Sequence, residues 1–483
     1  MPDTGRIKHV ILLMLENHSF DQMLGSLKSL YPEVDGIDPA NLRSCVDKDG
    51  HAFTQAETDE VQTANDPKHE FVNVRTQLQD GNKGFLKDFS TTYPGSSAED
   101  RQQIMGYYGL GKLPALHALA KEFTICDQWF SSLPGPTWPN RFFALTGTSN
   151  GEIEMPSGSQ QANPLWYLHQ TQDTIFDRLN EAKKNWKVYY YDFPNSWLLL
   201  RQLEPQNVVH YHHIDDFFNT DSRNASDFPD FAFIEPKYFG QDQNDDHPPH
   251  NVMKAEKLIA DVYNAIRSNQ ELWESSLLIV SFDEHGGFYD HVIPPAAVPP
   301  DGKTANYAFN QYGMRVPALL ISPWVGRRTE HTVFDHTSVL KFLSQKWGLS
   351  KLTDRSDKAN SLDVAFTEAQ PRKDTIPFIR VPYSDLIPPR PDLEKADSNS
   401  HQQSIEGFSA FLAQHFEAPA VKEAQNLVGW FTRTKNFFGR QLLRAGNALT
   451  NAYQVAQATK VENLAEFAKD VAKRGIAVKD LLK

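Results

Sequence analysis

The sequence predicts an α/β protein with a doubly wound, mostly parallel central sheet flanked by helices. Two observations indicate this fold: short apolar runs alternate with segments of helical periodicity, and the runs are apolar at nearly every position. Continuous apolar runs are typical of parallel strands buried on both faces, whereas half-exposed strands alternate polar and apolar residues. Alternation of strand and helix along the chain favours a doubly wound sheet.

Each predicted element rests on its own pattern of apolar residues. The first strand, at 7–15, is apolar almost throughout and leads into a turn and helix at 19–30. A helix at 113–122 leads into a strand at 123–126, and a loop rich in proline and glycine then precedes a helix at 141–148. The later predicted elements are a strand at 231–234, a helix at 252–270, strands at 277–282 and 316–322, and a helix at 337–347.

The chain is long enough for more than one domain. We expect a catalytic domain at 1–390, with insertions around 30–105 and 150–245, because those regions are polar or mixed in composition. The segment 391–404 is rich in Pro, Asp and Ser, which is typical of a linker. An amphipathic helical region is expected at 405–483.

Part of that last region has an unusual helical pattern. If residues 427–444 form one helix, aromatic and leucine side chains share one face and arginines lie opposite. Such a helix could lie in a membrane interface, or it could pack its aromatic face on the catalytic domain. The sequence leaves both interpretations open.

Charge and targeting signals limit the functions that the chain can have. Its 483 residues carry a net charge of −13, which argues against non-specific binding to nucleic acid, because that needs a basic surface. The first apolar run is short and no small-residue cleavage site follows it, so we expect no cleavable signal peptide. No stretch approaches the roughly 18 apolar residues of a membrane span. We therefore expect the protein to be cytoplasmic at synthesis, and to be exported, if at all, by a route without a cleaved signal.

Two predicted strands end on pairs of metal-ligand residues. Glu16 and Asn17 follow the strand at 7–15, and Asp283 and Glu284 follow the strand at 277–282. Ligands bind at the carboxyl ends of strands in such sheets. Three carboxylates that meet there are hard to hold without a cation, because like charges raise each other's pKa. The sequence therefore predicts a divalent-metal enzyme; the alternative is a helix cap at the first pair and a turn at the second.

Thr137 is the candidate nucleophile. It lies between Pro136 and Trp138, and prolines on both sides of this segment fix its direction at low entropic cost. A helix expected to begin near Asn140 would offer free backbone N–H groups, which attract phosphate. A hydroxyl is a weak nucleophile until a metal or a base activates it. The alternative is an ordinary turn stiffened by proline.

Histidines in polar settings are candidates for proton transfer or metal binding. His247 and His291 have the strongest settings of the 17 histidines, because the His-Pro-Pro-His and Asp-His patterns lie near the carboxylate pairs, and His69 is a further candidate; most of the others must be structural. Additional site candidates are His250, His285, Asp246 and Asn140. Motifs for nucleotide kinases, dinucleotide dehydrogenases and serine hydrolases of the nucleophile-elbow type do not occur in the sequence.

Several strings resemble signatures of the bacterial phosphoesterase family, which includes phospholipases C and a group of acid phosphatases. The strings are ILLMLENHSFD at 11–21, MGYY at 105–108, FTICD at 123–127, GPTWPNR at 135–141 and DEHGG at 283–287. The resemblance covers most of residues 7–345. It implies an alkaline-phosphatase-like core in a bacterial enzyme.

The resemblance also implies roles for the candidate residues. Glu16, Asn17, Asp283 and Glu284 would hold a metal together with Thr137. Thr137 would be the nucleophile, and His69 and His247 would line the phosphate pocket. Zinc is the expected metal, with room for more than one ion, although calcium, magnesium and manganese stay open.

The expected function is therefore a metal-dependent phospholipase C. It would hydrolyse phosphatidylcholine to diacylglycerol and phosphocholine at a membrane surface, as a peripheral protein that does not bind nucleic acid. The alternatives are an acid phosphatase or other phosphomonoesterase that uses the same site, and a non-catalytic lipid-binding effector. The oligomeric state stays open.

Overall fold

The computed structural model describes residues 4–156, 164–240, 242–304, 307–390, 393 and 398–415. The segment 427–444, for which a helix is predicted, lies outside the described residues, as does most of the region 405–483.

Fourteen strands occur in the part of the chain that is described. They are β1 (His9–Leu15), β2 (Ser44–Val46), β3 (Ala52–Thr54), β4 (Ala56–Thr58), β5 (Gly106–Tyr108), β6 (Thr124–Cys126), β7 (Trp129–Phe130), β8 (Trp186–Tyr190), β9 (Tyr211–His213), β10 (Phe231–Ile234), β11 (Ser276–Phe282), β12 (Ala318–Ile321), β13 (Arg328–Glu330) and β14 (Phe334–Asp335).

Sixteen α-helices occur in the same residues, with short 3-10 turns between several of them. They are α1 (Phe20–Leu24), α2 (Phe71–Gln77), α3 (Gln79–Asn82), α4 (Phe85–Thr92), α5 (Ala98–Ile104), α6 (Leu116–Glu122), α7 (Thr137–Thr146), α8 (Pro164–Leu168), α9 (Ile175–Glu181), α10 (Pro205–Val208), α11 (Ile214–Asn219), α12 (Val252–Ser268), α13 (Gln270–Glu274), α14 (Thr337–Trp347), α15 (Asp354–Lys358) and α16 (Ser400–His415). None of the described helices has the length and apolar character needed to cross a membrane.

Eight of the strands form the central sheet, in the order β13-β6-β12-β11-β1-β10-β8-β9. β1 lies near the middle and pairs in parallel with β10 and β11. Only β12 departs from parallel pairing in this sheet of described strands, because it is antiparallel to both β11 and β6. The predicted fold class, a mostly parallel sheet flanked by helices, is confirmed.

Burial explains why the two central strands have continuous apolar sequences. β1 and β11 are buried at every position. α12 packs against β11, and its first turn is capped by Asn251, whose side chain accepts a hydrogen bond from the backbone N–H of Met253 at 3.0 Å. Apolar faces on both sides of the strands thus enclose the middle of the sheet and leave its carboxyl edge for polar residues.

The region 150–245 contributes to the central sheet, so its interpretation as an insertion or cap is wrong. It contains β8, β9 and β10, which form one side of the sheet. The sequence of β8 is WKVYY, and aromatic residues favour strands as strongly as aliphatic ones do. The region 30–105 adds no strand to the central sheet and instead forms a hairpin of β2 and β3 together with helices α2–α5.

The linker predicted at 391–404 is also wrong over its last residues, because α16 begins at Ser400. Asn399 and Gln402 cap this helix reciprocally: Asn399 Oδ1 accepts from the backbone N–H of Gln402 at 2.8 Å, and Gln402 Oε1 accepts from the backbone N–H of Asn399 at 3.0 Å. The Phe408 side chain is buried, with its ring centroid 5.2 Å from that of Tyr167. The helix is therefore docked on the body of the protein.

Candidate active site

Glu16 and Asp283 directly follow the neighbouring strands β1 and β11. The last residues of these strands, Leu15 and Phe282, are register partners. The backbone N–H of Asn17 donates to Asp283 Oδ1 at 3.3 Å. The two polar pairs that follow the strands in the sequence therefore lie together at the carboxyl edge of the sheet, as predicted.

Arg141 joins the two strand ends. Its Nε donates to Asp283 Oδ2 at 2.9 Å, and its Nη2 donates to Glu16 Oε1 at 3.2 Å. All three side chains are buried. The remaining nitrogen, Nη1, has no hydrogen-bond partner among the described residues. Arg141 belongs to the GPTWPNR motif, but its role does not follow from the sequence, because its partners lie more than a hundred residues away in the chain.

A glycine allows the second strand end to approach the first. Asn17 has a left-handed backbone, with φ of 63°, and so does Gly286, also with φ of 63°. A Cβ atom on Gly286 would lie 2.0 Å from the carbonyl oxygen of Asn17. Only glycine fits there, which explains the glycine after the Asp283–Glu284 pair.

Thr137 is the first residue of α7, so this helix begins earlier than predicted. Pro136 precedes it in extended conformation, and Pro139 is tolerated because the first turn of a helix does not use its backbone N–H groups. Asn140 fixes the preceding loop: its Nδ2 donates to the carbonyl of Gly135 at 2.8 Å. Thr137 and Arg141 are one helical turn apart, so they share the face of α7 that contacts the strand ends.

Three buried oxygen atoms of this cluster have no hydrogen-bond partner in the described part of the chain. They are Asn17 Oδ1, Thr137 Oγ1 and Glu284 Oε1. An unsatisfied buried polar atom costs about 1–3 kcal/mol, so a group from outside the chain is expected to satisfy them. Amide, hydroxyl and carboxylate oxygens are ligands of hard and borderline divalent cations. Glu16 and Asp283 also keep free lone pairs beside their bonds to Arg141. The donor atoms of the five residues predicted as ligands are therefore of the kinds that a divalent cation binds.

The electrostatics of the cluster also favour an added positive charge. Burial raises the pKa of Glu16 to about 7, and the nearby guanidinium of Arg141 opposes this rise. Burial likewise raises the pKa of Asp283 and that of Glu284, and the Coulomb repulsion between these carboxylates adds to it. Arg141 and the charge on the neighbouring His69 compensate the three buried carboxylates only in part, because each charge needs its own compensation in a low dielectric.

His69 and His247 lie side by side beside the cluster, with ring centroids 5.8 Å apart. His247 Nδ1 donates to the carbonyl of Pro248 at 2.7 Å, which leaves Nε2 buried without a partner in the described residues. His69 Nε2 lies 3.9 Å from Glu284 Oε1. Burial lowers the pKa of His247 to about 4. Burial also opposes protonation of His69, but the carboxylates around it, Glu284 first, outweigh this effect and raise its pKa to about 9.

The additional candidates around His247 form a second polar layer. His250 Nδ1 lies 2.5 Å from Asp245 Oδ1, and the Asp245 carbonyl accepts from the backbone N–H of Glu16 at 2.9 Å. Asp246 has a left-handed backbone with φ of 78° and is buried, and the pKa values of Asp245 and Asp246 are raised well above the usual range by burial. These residues thus adjoin the end of β1.

His285 and His291 have other partners. His285 Nε2 lies 2.8 Å from Gln77 Oε1, and burial lowers its pKa to about 3. His291 Nδ1 lies 2.8 Å from Asp21 Oδ2 and its Nε2 lies 3.1 Å from Asp35 Oδ1. The structure therefore does not bring His291 to the cluster that contains Thr137.

Among the described residues, two groups of acidic and histidine side chains bring ligand-type atoms within 4.8 Å of one another, and neither contains the carboxylates at the ends of β1 and β11. They are Asp21, Asp290 and His291, and Asp47, Asp49 and His51. In the first group, the buried Arg315 donates to Asp21 at 3.1 Å and to Asp290 at 2.9 Å, so the group is an ion-pair network with its own cation. Arg101 donates to both aspartates of the second group, two members of which are exposed.

His401, on α16, is a site residue that the sequence analysis missed. Its Nδ1 lies 2.9 Å from Glu16 Oε2, and its Nε2 lies 3.2 Å from Asn195 Oδ1. The residue fell inside the predicted linker, so it received no role. The capping pattern of Asn399 and Gln402 was the available signal for a helix at this point.

Comparisons with known proteins agree with these features. The model of the phosphoesterase family matches residues 7–350. The non-specific phospholipase C3 of Arabidopsis thaliana is 31% identical over 459 residues, which cover 87% of this chain and 83% of that protein. Phospholipase C B of Mycobacterium tuberculosis is 28% identical over 449 residues, which cover 80% of this chain and 82% of that protein.

A solved structure from Vibrio parahaemolyticus, of a protein in the alkaline phosphatase superfamily, aligns over 76% of this chain and 72% of its own, with 13% identity and a TM-score of 0.34. A likeness this distant carries no argument by itself. The family match covers most of the chain. It contains the site residues at the ends of β1 and β11 and on α7, whereas His401 lies outside it. The chain belongs to the phosphoesterase family, as its motifs predict.

Proposed function

We propose that this phosphoesterase is a metal-dependent phospholipase C that hydrolyses phosphatidylcholine to diacylglycerol and phosphocholine. The observation that carries the proposal is the buried Thr137 hydroxyl, which has no partner among the described residues and shares a helix face with Arg141. The names of the Arabidopsis and Mycobacterium relatives support a phospholipid substrate. The protein would then act at a membrane surface as a peripheral enzyme.

A divalent cation would be held by Glu16, Asn17, Thr137, Asp283 and Glu284. Zinc is our first candidate for the metal, and the site could hold more than one ion. Calcium, magnesium and manganese are the alternatives to zinc. When bound, such a cation lowers the pKa of a coordinated hydroxyl and neutralises charge on phosphoryl oxygens. The unpartnered oxygens and the excess of buried carboxylates support this part of the proposal.

The protein residues would carry out two displacements at phosphorus. The Thr137 hydroxyl loses its proton to solvent as its Oγ forms a bond to phosphorus, and the bond between phosphorus and the glycerol oxygen breaks, which gives a phosphothreonine diester. His69 or His247 donates a proton to the departing diacylglycerol alkoxide. Water then attacks phosphorus and loses a proton to the same histidine; the bond between phosphorus and Thr137 Oγ breaks, phosphocholine leaves, and Thr137 Oγ regains a proton from solvent.

The test measures phosphocholine release from phosphatidylcholine vesicles by the wild-type protein and by Thr137→Ala. We expect zinc-dependent release that the variant loses. The Arabidopsis relatives are named non-specific, so vesicles of phosphatidylethanolamine belong in the same assay. Equal rates of hydrolysis of the two lipids would contradict a preference for choline but would still support phospholipase C activity. Full activity of Thr137→Ala would remove the nucleophile.

A phosphomonoesterase that uses the same residues is the second candidate, and the enclosure of the site favours it. Glu16, Thr137, Asp283 and Glu284 are each 0% exposed, which suits a small phosphate better than a diacyl lipid. Turnover of a soluble aryl phosphate that exceeds turnover of phosphatidylcholine would support this candidate. A protein that binds vesicles but hydrolyses neither substrate with zinc supplied would support the non-catalytic lipid-binding effector.

A further inference from the structure

His401 connects α16 to the end of β1. It is 1% exposed, and its Nδ1–H donates to Glu16 Oε2 at 2.9 Å, while its other nitrogen faces the Asn195 side-chain amide. The Glu16 carboxylate is therefore held from two sides, by His401 at Oε2 and by Arg141 at Oε1.

Arg141 offers Glu16 a different arrangement. Its Nη1 is buried without a partner among the described residues, whereas its Nη2 already donates to Glu16. A carboxylate beside two guanidinium nitrogens tends to pair with both in a planar fork, which is stronger than a single bond. The second oxygen of Glu16, Oε2, is instead hydrogen-bonded to His401.

We propose that His401 is a positioning residue for the cation site. By holding Oε2, it prevents the bidentate pairing of Glu16 with Arg141, and so keeps the carboxylate available to a divalent cation. The inference rests on the proposed function in one respect, since it needs a divalent cation at this cluster.

The position of His401 in the chain sets it apart from the other residues of the site. It lies beyond residues 7–350, which the family model matches, on α16. Gln402, the next residue, donates instead to the carbonyl of Tyr238. Gln402 thus helps to dock α16, whereas His401 contacts the carboxylate of Glu16. Substitutions at these two adjacent positions can therefore distinguish the two roles.

The experiment titrates Zn²⁺ into the metal-free, full-length protein and measures affinity by calorimetry. An asparagine side chain can place its amide nitrogen near the position of His Nδ1, whereas glutamine places it near Nε2, away from Glu16. We expect His401→Ala and His401→Gln to weaken zinc binding by about 10- to 100-fold, the usual loss when a hydrogen-bond partner of a metal ligand is removed. His401→Asn should restore most of the affinity, and Gln402→Ala should bind zinc as the wild type does.

Thermal unfolding of each metal-free variant shows whether it is folded. If His401→Ala does not fold, the comparison of His401→Asn with His401→Gln still tests the inference. Zinc affinity that is unchanged in His401→Gln, or lowered as much in Gln402→Ala, would overturn the inference while the cation site stands. A wild-type protein that binds no zinc, calcium, magnesium or manganese would overturn both the inference and the metal dependence of the proposed function.

Discussion

Arg141 Nε lies 2.9 Å from Asp283 Oδ2, and both side chains are closed off from solvent. The same guanidinium contacts Glu16, so one cation of the protein is shared by two buried carboxylates. This arrangement makes the stability of the metal-free protein depend on Arg141 and leaves negative charge that a bound ion can neutralise.

Replacing Arg141 with methionine should therefore destabilise the metal-free protein by about 3–5 kcal/mol, because it leaves buried carboxylates without a partner. Urea unfolding above neutral pH measures the change, and added zinc should recover part of it. Arg178→Met removes an arginine that pairs with exposed carboxylates, and should cost less than about 1 kcal/mol. Equal losses in the two variants would contradict the role of Arg141.

Thr137→Val should separate activity from stability. The variant removes an unpartnered buried hydroxyl and keeps the shape of the side chain, so the metal-free protein should gain about 1 kcal/mol. Loss of the nucleophile should lower phosphocholine release by about 10³-fold or more. Thr137→Ser keeps a hydroxyl and should stay active. A destabilised valine variant would mean that the hydroxyl has a partner in the resting protein.

Glu284→Gln tests which acidic cluster binds the cation. The variant keeps an oxygen but removes the charge of a proposed ligand. Loss of a hydrogen-bond partner of a ligand weakens metal binding by about 10- to 100-fold, and this variant should weaken zinc binding by more. His291→Gln alters the separate group with Asp21 and Asp290 and should leave zinc affinity unchanged. The opposite result, in calorimetric titrations of both proteins, would move the cation to the second group.

Gly286→Ala should disturb the junction of the two strand ends. The added Cβ would meet the carbonyl of Asn17 at 2.0 Å, and a left-handed backbone costs an alanine about 1–2 kcal/mol even without that clash. We expect a loss of more than about 2 kcal/mol in urea unfolding, together with weaker zinc binding. Gly302→Ala, where a Cβ meets nothing within 4 Å, should change stability by less than about 0.5 kcal/mol.

His291 should make the stability of the protein depend on pH. Burial opposes its protonation, but hydrogen bonds to Asp21 and Asp35 outweigh this effect and raise its pKa from 6.5 to about 10. The folded protein therefore binds this proton more tightly than the unfolded chain does. The stabilisation is complete below pH 6.5 and is lost as the pH rises towards about 10. The difference in unfolding free energy between the wild type and His291→Gln should shrink across that range, and a difference independent of pH would contradict the assignment.

The sequence allowed those parts of the site to be predicted that follow from strand ends. Glu16 and Asp283 come together because β1 and β11 are neighbours, and continuous apolar runs had indicated two central strands. The predicted start of α7 is too late, because Pro139 resembles a loop residue in the sequence although a proline is tolerated in a first helical turn.

The missing parts depend on contacts between distant segments. Nothing near Arg141 in the sequence indicates that its guanidinium lies between two carboxylates, and His401 belongs to a segment whose composition is typical of a linker. The strand β8 has no aliphatic run, and its aromatic sequence WKVYY lies in a region of mixed composition, so local pattern alone does not single it out. The local sequence specifies a helix or a strand, but only the folded chain determines which distant side chains meet.

The bond between His401 and Glu16 spans 385 positions of the chain. Proteins are synthesised from the amino terminus, and domains begin to fold while the ribosome still adds residues. Glu16 is therefore synthesised well before His401, and it receives this histidine only after the 385 positions between them have been added. A nascent chain that has not yet exposed His401 would carry an incomplete candidate site, so the carboxylate of Glu16 would be fully held only after α16 has emerged and docked.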